Sequence, residues 1–206
     1  MNSRDTVLAR VRRNQPAWRE LPQVPGFARP LADPLAGFAA ALERMGGTLA
    51  EPPPRGSLDD FLRARFPDAR VICSATAEVE GTRRVDAVRH PGDLDDVDIG
   101  VVRAVFGVAE TGSVWLSERE FGVNALGFLS QHLVVLLDPA AIVGNLHDAY
   151  RHPGFHDARY AVLMTGPSAT ADIEGVLIRG AQGIRTLTVI PVRAPTGAIG
   201  HKRRTP

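Results

Sequence analysis

The chain has very little cysteine. Its 206 residues include a single one, Cys73, so no disulfide can form within the chain. A self-contained iron–sulfur cluster, which usually needs about four thiolates, is excluded for the same reason. One thiol also fits a reducing compartment, and we expect a cytoplasmic location. Cys73 lies in the apolar segment "RVICSA", which predicts a buried side chain on a strand.

Long apolar runs and an excess of charge are also missing. No stretch approaches the roughly 20 apolar residues that span a bilayer, so we expect no membrane span. The first fifteen residues carry a periodic apolar stripe rather than the continuous apolar region of a signal peptide. The net charge is +1 at pH 7, which argues against nucleic acid or an anionic membrane as the partner.

The chain divides into an N-terminal region, residues 1–32, a central α/β domain, residues 33–193, and a flexible basic tail, residues 194–206. The first region combines a helix over 3–14, with Ser3 as a possible N-cap, and a proline-rich arm.

Two aromatic residues, Trp18 and Phe27, are expected to fasten the arm. They would pack either onto the body of the same chain or onto a second subunit, and both alternatives remain open.

The central domain shows clear signals for helices and strands. Asp33 and Pro34 begin one helix and Ser57 caps a second. From residue 131 onward the pattern is strand, helix, strand, helix, strand, with the first of those helices starting at Pro139. Such alternation predicts a mainly parallel sheet with helices on both faces, that is, a layered α/β sandwich. Strand signals lie at 69–75, 99–109, 113–117, 131–138, 159–164 and 185–192.

The segment "TGPSATADIE", residues 165–174, resembles a strand-to-helix turn. Gly166 and Pro167 would turn the chain, and Ser168 or Thr170 would cap the helix that follows. Backbone amides and hydroxyls at a helix start suit a small anionic ligand. The alternative is helix capping alone, because acidic residues nearby would repel an anion.

The elbow "AETGS", residues 109–113, offers a carboxylate beside two hydroxyls and a glycine. Glu110 could act as a general base, a covalent nucleophile or an orienting group. Thr111, Gly112 and Ser113 would then line the pocket. The alternative is an ordinary hairpin turn with Glu110 merely exposed.

Histidines and aspartates suggest further sites. His132 starts a strand and could face a cleft at the sheet edge, although a histidine in the core is the alternative. A metal site is not expected, because neither group of candidate ligands has a recognised ligand spacing. Those groups are His147, His152 and His156, and Asp93, Asp95, Asp96 and Asp98.

Taken in order, three stretches resemble the LUD-domain family, in particular its lactate utilization protein C group. They are "FGVAETGSVWL", "QHLVVLLDPAAIV" and "TGPSATADIEGVLIRGAQGIRTLTVIPV". The resemblance covers roughly residues 33–193. The family usually reads close to "GVHGPR" where this chain has "GAQGIR", residues 180–185, so Gln182 and Ile184 replace its histidine and proline.

The resemblance implies a fold similar to the NagB/RpiA/CoA-transferase group. It also implies a subunit or accessory role in a bacterial system that oxidises L-lactate to pyruvate. In such a system the iron–sulfur clusters belong to partner proteins of the same operon, and this chain would carry no cofactor. The alternative is a small-molecule binding protein or enzyme that uses Glu110 in a strand-edge cleft.

Overall fold

The computed structural model describes residues 2–23, 25, 31–52, 55–172 and 174–194. Two sheets lie at its centre, and helices pack on their outer faces and in the core between them. In chain order the helices are α1 (Ser3–Arg13), α2 (Pro34–Arg44), α3 (Leu58–Arg65), α4 (Glu118–Phe121), α5 (Leu126–Leu129), α6 (Leu146–Arg151) and α7 (Pro153–His156). The strands are β1 (Thr48–Leu49), β2 (Ile72–Ser74), β3 (Arg83–Arg84), β4 (Ile99–Arg103), β5 (Phe106–Val108), β6 (Ser113–Ser117), β7 (His132–Leu137), β8 (Ile142–Val143), β9 (Ala161–Met164), β10 (Ala169–Thr170), β11 (Ile178–Arg179) and β12 (Thr186–Pro191).

The larger sheet has six strands in the order β1-β12-β7-β4-β2-β3. Every neighbouring pair in it is parallel. The central strand β7 is buried on both faces: Leu133, Val135 and Leu137 face one core, and Val134 and Leu136 face another. The continuous apolar run at 131–138 is typical of a strand in this environment.

The second sheet has the order β8-β5-β6-β9 and is mixed. β5 and β6 form an antiparallel hairpin, and β9 pairs antiparallel with β6. Val114 and Leu116 of β6 join the core that contains the inner face of β7. Phe106, Val108 and Trp115 point the other way, toward residues of α6 and α7.

The layers are α3, the parallel sheet, the mixed sheet and the pair α6–α7. Leu62 of α3 packs on the outer face of the parallel sheet, while Phe38 and Leu42 of α2 enter the core between the sheets. The predicted layered α/β sandwich with a mainly parallel sheet is confirmed. Helices lie on both faces of that sheet, as expected: α3 packs on one face, and residues of α2, α4 and α5 pack on the other. The mixed sheet, which shares the second face, was not expected.

The predicted helix that starts at Pro139 is largely wrong. A short 3-10 turn, Pro139–Ala141, leads into β8, and a helix follows only from Leu146. β8 pairs parallel with β5, which suits the β-branched Ile142 and Val143. Asn145 caps α6 by accepting a hydrogen bond from the amide of Asp148, so the Gly144–Asn145 pair interrupts the apolar pattern.

The predicted helix after Ser168 is wrong as well. Ala169–Thr170 pairs antiparallel with Ile178–Arg179, so the segment is a hairpin whose turn includes Glu174 and Gly175 at positive φ. The segment 180–185 therefore follows the strand β11. Residue 173 lies outside the described residues.

The helices predicted near the N-terminus are present in the structure. α1 forms as predicted, but Asn2 caps it instead of Ser3. Asp33 and Ser57 cap α2 and α3 as predicted. Trp18 is 86% exposed, so it does not fasten the arm onto the body of this chain.

Phe27 and residues 195–206 lie outside the described residues. The division of the chain at residues 32 and 193 therefore stays a prediction. Among the described residues, no helix is long and apolar enough to cross a membrane.

Gly112 allows the β5–β6 elbow to approach α2. Its φ is +67°, and a Cβ at this position would overlap the backbone of Leu42 and Ala41. Backbone cannot move aside as a flexible side chain can, so only glycine fits this elbow.

We expect Gly112→Ala to lower the free energy of unfolding by about 3 kcal/mol or more, from backbone strain plus overpacking. Gly175→Ala is the matched control, because Gly175 has a φ of +71° with open space around it. The control should lose about 1 kcal/mol from strain alone. Urea unfolding measures both variants, and equal losses would contradict the close approach.

Candidate functional site

The elbow at 109–113 and the turn that starts at Thr165 meet in the structure. The hydroxyl of Ser113 contacts the hydroxyl of Thr165, and Thr111 Oγ1 lies 2.7 Å from Ser113 Oγ. Ser113 is only 3% exposed, so this chain of hydroxyls ties β6 to the end of β9. These hydrogen bonds connect the elbow at 109–113 with the turn that starts at Thr165, two segments that are far apart in the sequence.

Two hydrogen bonds to the backbone give Glu110 a structural role. Its Oε2 accepts a hydrogen bond from the backbone N–H of Leu146 at 3.0 Å, and Leu146 is the first residue of α6. Its own N–H donates to the carbonyl of Gly144 at 3.1 Å. The carboxylate thus satisfies an amide at the start of a helix, where negative charge is favourable.

The turn at 166–170 does not form the predicted helix start. Gly166 has a φ of +75° and packs against the carbonyl of Met45, beside the buried Pro167. The N–H of Ser168 donates to the carbonyl of Ile184 at 3.0 Å. Thr170 Oγ1 accepts from the N–H of Asp172 at 3.2 Å. A helix N-terminus is absent here, and with it the predicted cradle of helix amides for an anion.

His132, the remaining predicted site residue, lines a cavity. We call it the His132 cavity; it has a volume of about 290 Å³ and lies at the amino ends of the parallel strands β2, β4, β7 and β12. The side chains that matter for its chemistry are Arg65, Phe66, Asp68, Asp98, His132 and Arg185.

Strand register places His132 in this cavity. His132 is opposite Ile99 of β4 and Thr186 of β12. Its Nδ1 lies 2.8 Å from Thr186 Oγ1, and its ring packs on Phe66 with 4.8 Å between ring centroids. With Nδ1 engaged, Nε2 is the ring nitrogen left for a ligand.

Burial lowers the pKa of His132 below its ordinary value, and the charge of Arg185 lowers it further. Asp98 acts in the opposite direction, but Asp98 Oδ2 also accepts hydrogen bonds from the N–H groups of Arg70 and Val71, at 2.7 and 2.9 Å. The imidazole is therefore neutral at pH 7.

A second cavity lies at the opposite edge of the parallel sheet, where strands β2, β4, β7 and β12 end. This Arg103 cavity has a volume of about 530 Å³, and small residues dominate its wall. Its polar members are Arg103, Glu120 and His152. Open α/β sheets commonly bind ligands at this edge.

The charge of Arg103 is already compensated. Its Nε donates to Glu78 Oε1 at 2.6 Å, and Nη1 donates to the carbonyl of Val192 at 3.1 Å. Glu120 adds a further carboxylate, which accepts hydrogen bonds from Ser117. Sequence reasoning overlooked this cavity, although an arginine that ends the apolar run "IGVVR" was an available signal.

Metal-ligand candidates separate in the structure. The described residues contain no group of three or more histidine, cysteine, aspartate or glutamate side chains that could hold a metal ion. Asp96 pairs with Arg83 at 2.7 Å, and Asp93 accepts hydrogen bonds from the amides of Arg89 and His90. The acidic loop is thus tied down by protein contacts.

The fold is that of a layered α/β protein, with a cavity at each end of the parallel strands. Within it, residues 92–192 match the family model described as the LUD domain, which confirms the family resemblance: the chain carries a LUD domain. This membership supports a role related to lactate utilisation.

A solved structure agrees with the fold. The crystal structure at 1.70 Å resolution of a DUF162 family protein from Deinococcus radiodurans is similar, with a TM-score of 0.58 and 16% sequence identity. The match covers 77% of this chain and 96% of that one. A search of curated proteins finds no significant match.

We expect Glu110→Ala to lower the free energy of unfolding by about 1 kcal/mol, because the Leu146 amide loses its acceptor. Glu110→Gln keeps an acceptor oxygen and should lose less than about 0.5 kcal/mol. Glu43→Ala, an exposed carboxylate on α2, controls for the loss of charge. Thermal unfolding measures all three, and no difference between Glu110→Ala and Glu43→Ala would contradict the capping role.

We expect the ring of His132 to titrate below the ordinary value of 6.5, and Arg185→Gln to raise its pKa. Because the folded pKa is the lower one, stability is full above about pH 6.5 and falls as the pH drops below it. Proton NMR of the histidine ring measures the midpoint, and a midpoint at or above 6.5 would contradict the burial argument.

Proposed function

We propose that this chain is a subunit or accessory protein of a bacterial L-lactate utilisation system, which oxidises L-lactate to pyruvate together with iron–sulfur partner proteins. The observation that carries the proposal is the LUD domain at residues 92–192. Oxidation of L-lactate to pyruvate releases two protons and two electrons, so the system needs an electron acceptor.

The cysteine content supports placing that acceptor in a partner. Cys73 is the single cysteine of the 206 residues, it is 0% exposed, and burial raises the pKa of its thiol. Neither the number of thiolates nor this position fits an iron–sulfur cluster. In the proposed system this chain binds or positions, and its partners carry the electrons.

The N-terminal region supports association. α1 buries none of its residues, and Val7, Val11 and Trp18 are 56%, 53% and 86% exposed. Val7 and Val11 are one helical turn apart, so they share one face of α1, and such an exposed apolar pair suits contact with another protein. With Trp18 off the body of this chain, contact with another subunit is the favoured alternative for the arm.

A second function, an enzyme with Glu110 as nucleophile or base, has less support. The Glu110 carboxylate accepts a hydrogen bond from Leu146, and Glu110 is not among the residues that line the His132 and Arg103 cavities. The Glu110→Gln variant separates the two functions, because a nucleophile tolerates no such change.

The test is co-purification of the tagged chain with the products of its neighbouring genes. We expect a stable complex that contains cysteine-rich iron–sulfur proteins, and loss of growth on L-lactate when the gene is deleted. Trp18→Ala should weaken the complex about tenfold, whereas Leu177→Ala, which is 59% exposed on the β10–β11 hairpin, should not. Absence of a complex together with normal growth on L-lactate would overturn the proposal.

A further inference from the structure

We propose that the His132 cavity binds a small 2-hydroxy or 2-oxo monocarboxylate. Arg65 and Arg185 would attract the carboxylate, and His132 Nε2 would meet the oxygen on the second carbon. The choice of acid class rests on the proposed lactate role, while the existence of the site rests on the cavity itself.

The arginines supply the positive charge. Within the described part of the chain, neither Arg65 nor Arg185 lies within ion-pair distance of a carboxylate. Arg65 instead lies over the ring of Phe66, 5.9 Å from its centroid. A guanidinium without a carboxylate partner at a cavity wall can donate N–H hydrogen bonds to the carboxylate of a ligand.

The Arg103 cavity is a poorer site for a carboxylate ligand. In the Arg103 cavity the guanidinium already holds Glu78, with Nη2 at 2.5 Å from Oε1. Glu120 adds negative charge to the same wall. A carboxylate that entered there would face a compensated arginine and a like charge, so the larger cavity is the poorer anion site.

The charged residues that line the His132 cavity limit how much negative charge a ligand can carry. Arg65 and Arg185 are matched by Asp68 and Asp98 in the same lining, and the imidazole is neutral at pH 7. Asp98 is held by the amides of Arg70 and Val71, so it stays at the wall and repels additional negative charge. The formal charges of this lining therefore sum to zero, and the site differs from the Arg103 cavity in that neither arginine is in direct contact with a carboxylate. A single negative charge meets less repulsion from Asp98 than the two charges of phosphate or a dicarboxylate, so a monoanion is the favoured ligand.

His132 supplies discrimination at the second carbon. Its Nδ1 contacts Thr186 Oγ1, which fixes the ring and directs the other nitrogen elsewhere. A neutral ring nitrogen pairs with a hydroxyl or a carbonyl, depending on the tautomer. Propionate lacks that oxygen and would leave the nitrogen unsatisfied. The volume of about 290 Å³ leaves room for a ligand of this size.

The experiment is a titration of the full chain with L-lactate, pyruvate, propionate and inorganic phosphate, followed by calorimetry and by ¹⁵N NMR of the histidine rings. L-lactate or pyruvate should bind at least tenfold more tightly than propionate or phosphate and should shift the resonances of His132. Arg185→Gln should weaken binding at least tenfold. Arg63→Gln, an exposed arginine of the same helix as Arg65 that is outside the cavity lining, should leave it unchanged.

Equal binding of propionate or phosphate, equal effects of the two arginine variants, or no binding at millimolar concentrations would overturn the site. Complementation of the deletion strain separates this result from the proposed function. If wild-type chain binds L-lactate but deletion leaves growth on L-lactate intact, the site stands and the pathway role fails. If growth depends on the chain but purified chain binds neither acid, the pathway role stands and the site fails.

Discussion

The burial of β7 on both faces is the constraint on which the rest of the structure depends. Side chains at alternating positions along this strand enter two different cores, so a slip of one residue would send each side chain into the wrong core and disrupt the packing of both. Its parallel neighbours β4 and β12 are thereby held in one register. That register brings His132 level with Thr186 and Ile99, and Arg185 and Asp98 directly precede those two residues. The His132 cavity is a consequence of this alignment.

The two faces of the parallel sheet pack against different elements. One face packs on α3 and the other on β5 and β6, with α2 wedged between the sheets. Gly107 and Gly112 permit that wedge, since a side chain on either would meet α2. Glu110 then joins the elbow to α6. The family's elbow motif is thus explained by packing and capping, and the charged cavities lie elsewhere.

Much of the fold was predictable, for identifiable reasons. β7 and β12 have long apolar runs, and α2 and α3 have side-chain caps at Asp33 and Ser57. The errors fall where strands of two residues replace helices, at Ile142–Val143 and Ala169–Thr170. Such short strands exist only through their partners, and no local pattern specifies a partner distant in the chain.

The candidate site was predictable only in part. His132 could be selected because it begins an apolar run. Arg185 lies beside it only through the parallel register, and Arg65 reaches the same cavity from the end of α3. Spacing in the sequence cannot show that two arginines lack carboxylate partners, because that depends on where every nearby aspartate and glutamate lies in the fold.

The most direct measurement is a crystal structure of the chain with pyruvate. We expect electron density for pyruvate in the His132 cavity, with its carboxylate at Arg185 and its 2-oxo oxygen at His132 Nε2. Density for pyruvate in the Arg103 cavity, or in neither cavity at saturating concentration, would contradict it.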